Sequence, residues 1–269
     1  MLKEFVEPIK YTTTEADTVF SLLARRAKRN PDETVAEWQD EKTFAWHQVS
    51  AGEMLGRARE VAKGLLALGA TKGERVIVYS PTCYSWGVVD FACAAIGAVL
   101  VPIYETDSIQ QASNIIDEVK PIVAFCGDFD HAQALEQIRD NHGNTLRNVF
   151  NFKAEGLDAV ADFGRGVSDA TLDAAIASIT ADDVLTIVYT SGSTGRPKGA
   201  MLSNRNYTHI VLNGYEILPN MLYNDNRLLL FLPLAHCFAR YIQYVAIGGH
   251  GVIGYLPGAK RLLADLRSF

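Results

Sequence analysis

With 269 residues, 48% of them hydrophobic, the chain is long enough to bury a sizeable core as one large or two modest globular domains. Its 31 acidic residues outnumber the 25 basic ones, the formal charge is -6, and Lys and Arg form no cluster, which argues against nucleic acid as a partner. The four cysteines, Cys83, Cys93, Cys126 and Cys237, have no paired spacing and three sit in apolar stretches, so we expect a reducing, cytoplasmic setting and no metal site.

Residues 1–10 contain no apolar segment of the kind a secretory signal needs. Residues 18–30 place Val19, Leu22, Leu23 and Ala27 on one face and stop at Asn30-Pro31, which predicts an amphipathic surface helix. Two short strand-like pieces follow at 35–38 and 43–46. Ser50 then caps a helix running to about Leu68 and ended by Gly69. From there strands are predicted at 75–80, 98–101, 122–126 and 148–152, with helices between them at 84–96, 108–119 and 131–141. The most apolar run, 91–103, is broken by Gly97 and Pro102 and falls short of the roughly 20 residues that cross a bilayer. It reads as a buried helix entering a buried strand; peripheral contact with a membrane stays open.

Nearly continuous apolar strands alternating with helices predict an α/β layered fold, with mostly parallel sheets and helices on both faces. Residues 153–183 are rich in Asp, Gly, Ala and Ser and predict a surface excursion with one short helix near 171–178. A second strand-helix series starts at Val184, so the expected subdomains are 1–183 and 184–269. A last helix-like pattern occupies 259–268.

The chemistry gathers where the strand at 184–189 runs into Thr190-Ser191-Gly192-Ser193-Thr194-Gly195-Arg196-Pro197-Lys198-Gly199. Glycines let a backbone approach an anion and turn its N–H groups toward it, hydroxyls donate further bonds, and Lys198 adds a point charge. A polyphosphate is the natural guest; an ordinary exposed Gly/Ser turn is the plainer alternative. A Walker-type loop needs Gly-Lys-Ser/Thr opening a helix, but Lys198 lies between Pro197 and Gly199, and Pro197 pushes Arg196 toward extended geometry.

The string YTSGSTGRPKGAMLSNRN at 189–206 resembles the phosphate-loop signature of the AMP-forming adenylating superfamily, which includes acyl-CoA synthetases, luciferases and the adenylation domains of peptide synthetases. Phe231-Leu232-Pro233-Leu234-Ala235-His236-Cys237-Phe238 is similar to the LPLAH element of that family. Val101-Pro102-Ile103-Tyr104-Glu105-Thr106 and the run 232–240 resemble the VPIY-x-T and LPLAH-x-F-x-R elements of long-chain fatty acyl-CoA synthetases. The likeness spreads from about Thr12 to Phe269, and Ala239 departs from it where many long-chain members carry Glu.

The resemblance implies an incomplete N-terminal domain of the acyl-CoA synthetase fold, with the C-terminal domain absent. It also implies a two-step reaction: a fatty acid carboxylate attacks the α-phosphate of ATP, releasing pyrophosphate, and coenzyme A then displaces AMP. By resemblance, Thr190, Ser191, Gly192, Ser193, Thr194, Gly195 and Lys198 hold the phosphates of ATP with Mg2+, and Lys198 and His236 are catalytic. On sequence alone His236 also reads as a histidine satisfied at a strand end, and Arg240 as a surface cation on the first turn of a helix. Trp86, Tyr104 and Tyr215 are given no role, and His47, His131, His142, His209 and His250 show no ligand-like spacing. The family's adenine, ribose and Mg2+ contacts come after the LPLAH element, so the chain alone is expected to be inactive, and open sheet edges are expected to make it self-associate. Two other readings are a non-catalytic nucleotide-binding or interaction module, and the same fold acting on an aromatic or amino acid.

Overall fold

The apolar stripe at the start of the chain becomes α1 (Val19–Arg29), capped by Thr18, whose hydroxyl oxygen accepts the Ser21 N–H at 3.2 Å. The computed structural model describes residues 8–142, 145–154, 156–190, 198–260 and 262–269. β1 (Thr34–Gln39) pairs antiparallel with β2 (Trp46–Ser50). The second strand begins where the piece expected at 43–46 ends. Asp40 takes the N–H groups of Lys42 and Thr43, and Phe44 turns at φ 59°, so the residues before Trp46 are spent on the bend.

Ser50 and Glu53 cap each other's backbone at the start of α2 (Ala51–Ala67). Then follow β3 (Arg75–Tyr79), α3 (Tyr84–Ile96), β4 (Val99–Ile103), α4 (Ile109–Val119), β5 (Val123–Cys126), α5 (Phe129–His142) and β6 (Asn148–Asn151), each close to its expected place. The stretch 153–183 holds more than the single helix expected. α6 (Gly156–Phe163) and a 3-10 turn (Gly164–Gly166) precede α7 (Asp169–Ala177). α6 buries Leu157 and Val160 against α2. The approach is so close that a Cβ on Gly64 would lie 2.0 Å from the Val160 carbonyl oxygen.

Past this point come β7 (Val184–Thr190), β8 (Lys198–Ser203), α8 (Asn204–Ile217), α9 (Pro219–Leu222), β9 (Arg227–Leu230), α10 (Cys237–Gly248), β10 (Val252–Tyr255) and α11 (Leu262–Ser268). One sheet has the order β6-β5-β3-β4-β7-β8 and is parallel except for β8; the other, β2-β1-β10-β9, is parallel except for β2. Sheet membership crosses residue 183: β7 and β8 join the strands of the first half, while β1 pairs with β10.

Side chains alternate across β3, so Val76 and Val78 enter one core and Ile77 and Tyr79 the other. The smaller core lies under α4 and α5. The larger one fills the space between the two sheets, where α3 touches both β4 and β1. The protein is thus an α/β structure with helices on both faces of its parallel-rich sheet.

Candidate functional site

Three sequence motifs meet at the carboxyl ends of the central parallel strands, where ligands of open α/β sheets bind. β4 and β7 are neighbours in register at Leu100 and Thr186, fixed further by the Thr186 hydroxyl donating to the Leu100 carbonyl at 2.6 Å. Four residues beyond each lie Tyr104, just past the end of β4, and Thr190, the last residue of β7. Tyr104 in turn lies close to the start of α10: burial raises its pKa, and the neighbouring Cys237 adds to the rise.

The strands on either side of the segment expected to bind phosphate, β7 and β8, pair antiparallel. Thr190 and Lys198 are cross-strand partners, and both are exposed at the mouth of this pair. They hold the two ends of the segment 191–197 side by side. Ser191, Gly192, Ser193, Thr194 and Gly195, with Arg196 and Pro197, lie outside the described residues. Gly199 sits opposite Tyr189, and a Cβ there would meet Ile187 Cγ2 at 2.7 Å and the Tyr189 ring at 3.2 Å. The requirement for glycine at 199 is close packing on the stem. Its φ does not lie in the left-handed region.

The LPLAH segment is held from below by a residue that the sequence gave no reason to single out. Thr82, buried just past β3, donates from its hydroxyl to the Leu232 carbonyl at 2.7 Å and accepts the Leu234 N–H at 3.0 Å. One hydroxyl thus satisfies two backbone groups and fixes the turn into α10. No local pattern could have revealed this, because donor and acceptor come from opposite halves of the chain.

His236 is not at a strand end; it is the N-cap of α10. Its Nδ1 accepts the Phe238 N–H at 3.2 Å. A neutral ring held in this way carries its proton on Nε2, and the exposed imidazole can offer that N–H to an anionic oxygen. Phe238, 55% exposed, adds an apolar surface two residues on.

Arg240 is not a surface cation. It is 0% exposed and paired with Asp90 of α3, itself 0% exposed. Burial alone lowers the pKa of the guanidinium, but the Asp90 charge and the hydroxyls of Tyr244 and Tyr207 more than offset this, and the net direction is upward. Trp86, also fully buried, faces the same guanidinium, and Tyr215 is anchored by its hydroxyl on the Val245 carbonyl at 2.7 Å. His47 stacks on Trp38, with centroids 4.3 Å apart. The His131 ring packs against Tyr79, and its Nε2 lies 3.1 Å from the Glu105 carbonyl.

Among the described residues, one group of side chains has metal-ligand geometry: Glu33, Asp225 and His250. Arg26 already occupies Glu33 at 2.9 Å, and the group includes none of the residues at the hairpin mouth. A cleft of about 420 Å3, lined by Tyr11, Arg25, Arg29, Tyr215 and Tyr223, likewise contains none of them. Among the described residues no helix is long and apolar enough to cross a membrane.

The family model described as AMP-binding enzyme matches residues 23–268. The chain is 34% identical over 271 residues to the long-chain-fatty-acid–CoA ligase FadD15 of Mycobacterium bovis, a match covering all of this chain and 45% of that protein. The chain therefore spans about half the length of the curated relative it matches. Among solved structures it is similar to the inhibitor-bound N-terminal domain of FACL13 from Mycobacterium tuberculosis, with a TM-score of 0.77 and 25% identity over 94% of this chain and 60% of that one. It is also similar to ATP-bound MatB from Rhodopseudomonas palustris, with a TM-score of 0.72 and 25% identity over 95% of this chain and 48% of that one.

Proposed function

The chain belongs to the AMP-binding enzyme family, and from that premise we propose that it supplies the phosphate-gripping half of an AMP-forming fatty acid–CoA ligase. The observation that carries this reading is the hairpin. It presents Thr190 and Lys198 side by side at the carboxyl end of β7, while Tyr104, just past the end of the neighbouring strand β4, lies close to Cys237 of α10.

In the reaction proposed, a fatty acid carboxylate attacks the α-phosphorus of ATP, the bond to the pyrophosphate breaks, and coenzyme A later takes the acyl group and frees AMP. Negative charge grows on the departing pyrophosphate. Lys198 and the hydroxyls and N–H groups of 190–195 answer that charge, stabilising the transition state more than the bound substrate. His236 offers its Nε2–H to an oxygen shared between carboxylate and α-phosphate, and Phe238 gives an apolar acyl group a surface to lie on. Mg2+ arrives with ATP as part of the substrate. The four cysteines, none of them in a disulfide, support a reducing, cytoplasmic setting.

Titration calorimetry on the 269-residue chain tests the grip. Pyrophosphate and MgATP are expected to bind the wild type, with at least about tenfold weaker binding in Lys198→Ala, the loss of one charge-assisted contact. No heat from the wild type, or equal heat from both proteins, would sink the reading. The competing choice, an aromatic or amino acid in place of a fatty acid, is decided by a panel of carboxylates in a pyrophosphate-exchange assay on the whole protein.

A further inference from the structure

At the centre of the molecule lies an ion pair that the proposed reaction does not use. Asp90 of α3 receives Arg240 Nε at 3.3 Å and Arg240 Nη2, the Gln243 side-chain N–H at 2.9 Å and the Tyr244 hydroxyl at 2.7 Å. Tyr255 of β10 donates to Gln243 Oε1 at 2.8 Å, so the network runs from α3 through α10 into the four-stranded sheet. The rings of Trp86, Tyr207 and Tyr244 close around the guanidinium, with centroids 5.5, 5.6 and 5.8 Å away.

Such a pair adds little net stability over apolar residues of the same volume, because desolvating two charges offsets their attraction. What a guanidinium fork supplies is direction, since its planar donors accept only a narrow range of orientations. Asp90 is the one carboxylate bonded to Arg240 among the described residues, and the guanidinium's other acceptor is the neutral Tyr244 hydroxyl, 3.1 Å from Nε, so a broken pair has no second anion to turn to. Arg240 also sits one turn beyond His236, whose carbonyl accepts its N–H at 3.3 Å. The first turn of α10 therefore has a buried side, Ala239 and Arg240, and an exposed side, His236 and Phe238.

We propose that Arg240, gripped by Asp90, is a positioning residue that fixes the rotation of α10 and so aims the His236 imidazole out of the helix N-cap. What His236 is aimed at rests on the carboxylate-activating reading above; the aiming itself does not.

Histidine-selective 15N NMR on the 269-residue chain separates the two. The His236 signal, assigned by its loss in His236→Gln, is expected to show the Nε2–H tautomer with Nδ1 accepting a hydrogen bond. In Arg240→Lys and Asp90→Asn it is expected to move toward the mixed-tautomer pattern of a free imidazole, while the amide spectrum stays folded. A variant that merely loses stability leaves that pattern unchanged while it remains folded. An unchanged His236 pattern in either folded variant overturns the proposal. Should both unfold, Tyr244→Phe removes one donor to Asp90 and is read the same way, with a partial shift in support and no shift against. Absence of pyrophosphate heat in the wild type defeats the functional reading and leaves this test standing.

Discussion

Removing one member of the Asp90–Arg240 pair strands the other charge in a core where both side chains are 0% exposed. Arg240→Met and Asp90→Leu are each expected to cost about 3–5 kcal/mol, and the double replacement much less, because it leaves no unpaired charge. Urea unfolding of the three variants checks this. Asp17 offers a pH test at the same scale. Burial raises its pKa, but the Thr14 N–H, the Arg25 guanidinium and the Thr14 hydroxyl outweigh burial and hold it below the ordinary aspartate value of 3.8. A lowered folded pKa means that the contribution is complete above 3.8 and is lost as the pH falls through the folded value. Asp17→Asn should therefore be less stable than wild type by about 2 kcal/mol near neutrality, with the gap closing in acid. Single residues were also where the sequence was least informative. Arg240 read as exposed because its partner lies 150 positions away, and Thr82 showed nothing because its two partners are backbone groups of a distant loop.

Strands β3 to β5 and the helices after them could be read from the sequence because burial on both faces forces nearly unbroken apolar runs, and the helices keep a 3.6-residue pattern between them. β8 could not be read in this way. Its first four residues are exposed, and Lys198-Gly199-Ala200-Met201 becomes a strand only because β7 offers it a partner edge. α6 was hidden for a related reason, since its place depends on Gly64 allowing two helices to meet. Gly64→Ala should push α6 off α2 and cost about 1–3 kcal/mol, seen as a lowered melting temperature and earlier amide exchange within 156–163. Gly199→Ala strikes the hairpin stem at Ile187 and Tyr189. It should weaken pyrophosphate binding with a smaller loss of stability, because Gly199 lies on the exposed start of the edge strand β8 and meets side chains of the smaller core.

Across the whole molecule, one core contains residues of both sheets, Val76 and Leu100 of one and Ala36 and Ile253 of the other. The two sheets should therefore unfold together, and circular dichroism and tryptophan fluorescence should trace the same urea transition; two separated transitions would show that the layers are independent. Met201 on the edge strand β8 is 69% exposed and Leu263 on α11 is 79% exposed, which supports self-association. Sedimentation at high concentration checks it, a sharp monomer boundary being the contrary result. The pairing of Ala36 with Ile253 has a consequence during synthesis. A hairpin made early by the ribosome must wait for a strand made near the end of these 269 residues before its sheet can close. Until then its open rim faces solvent, so vectorial folding of this layer is slow.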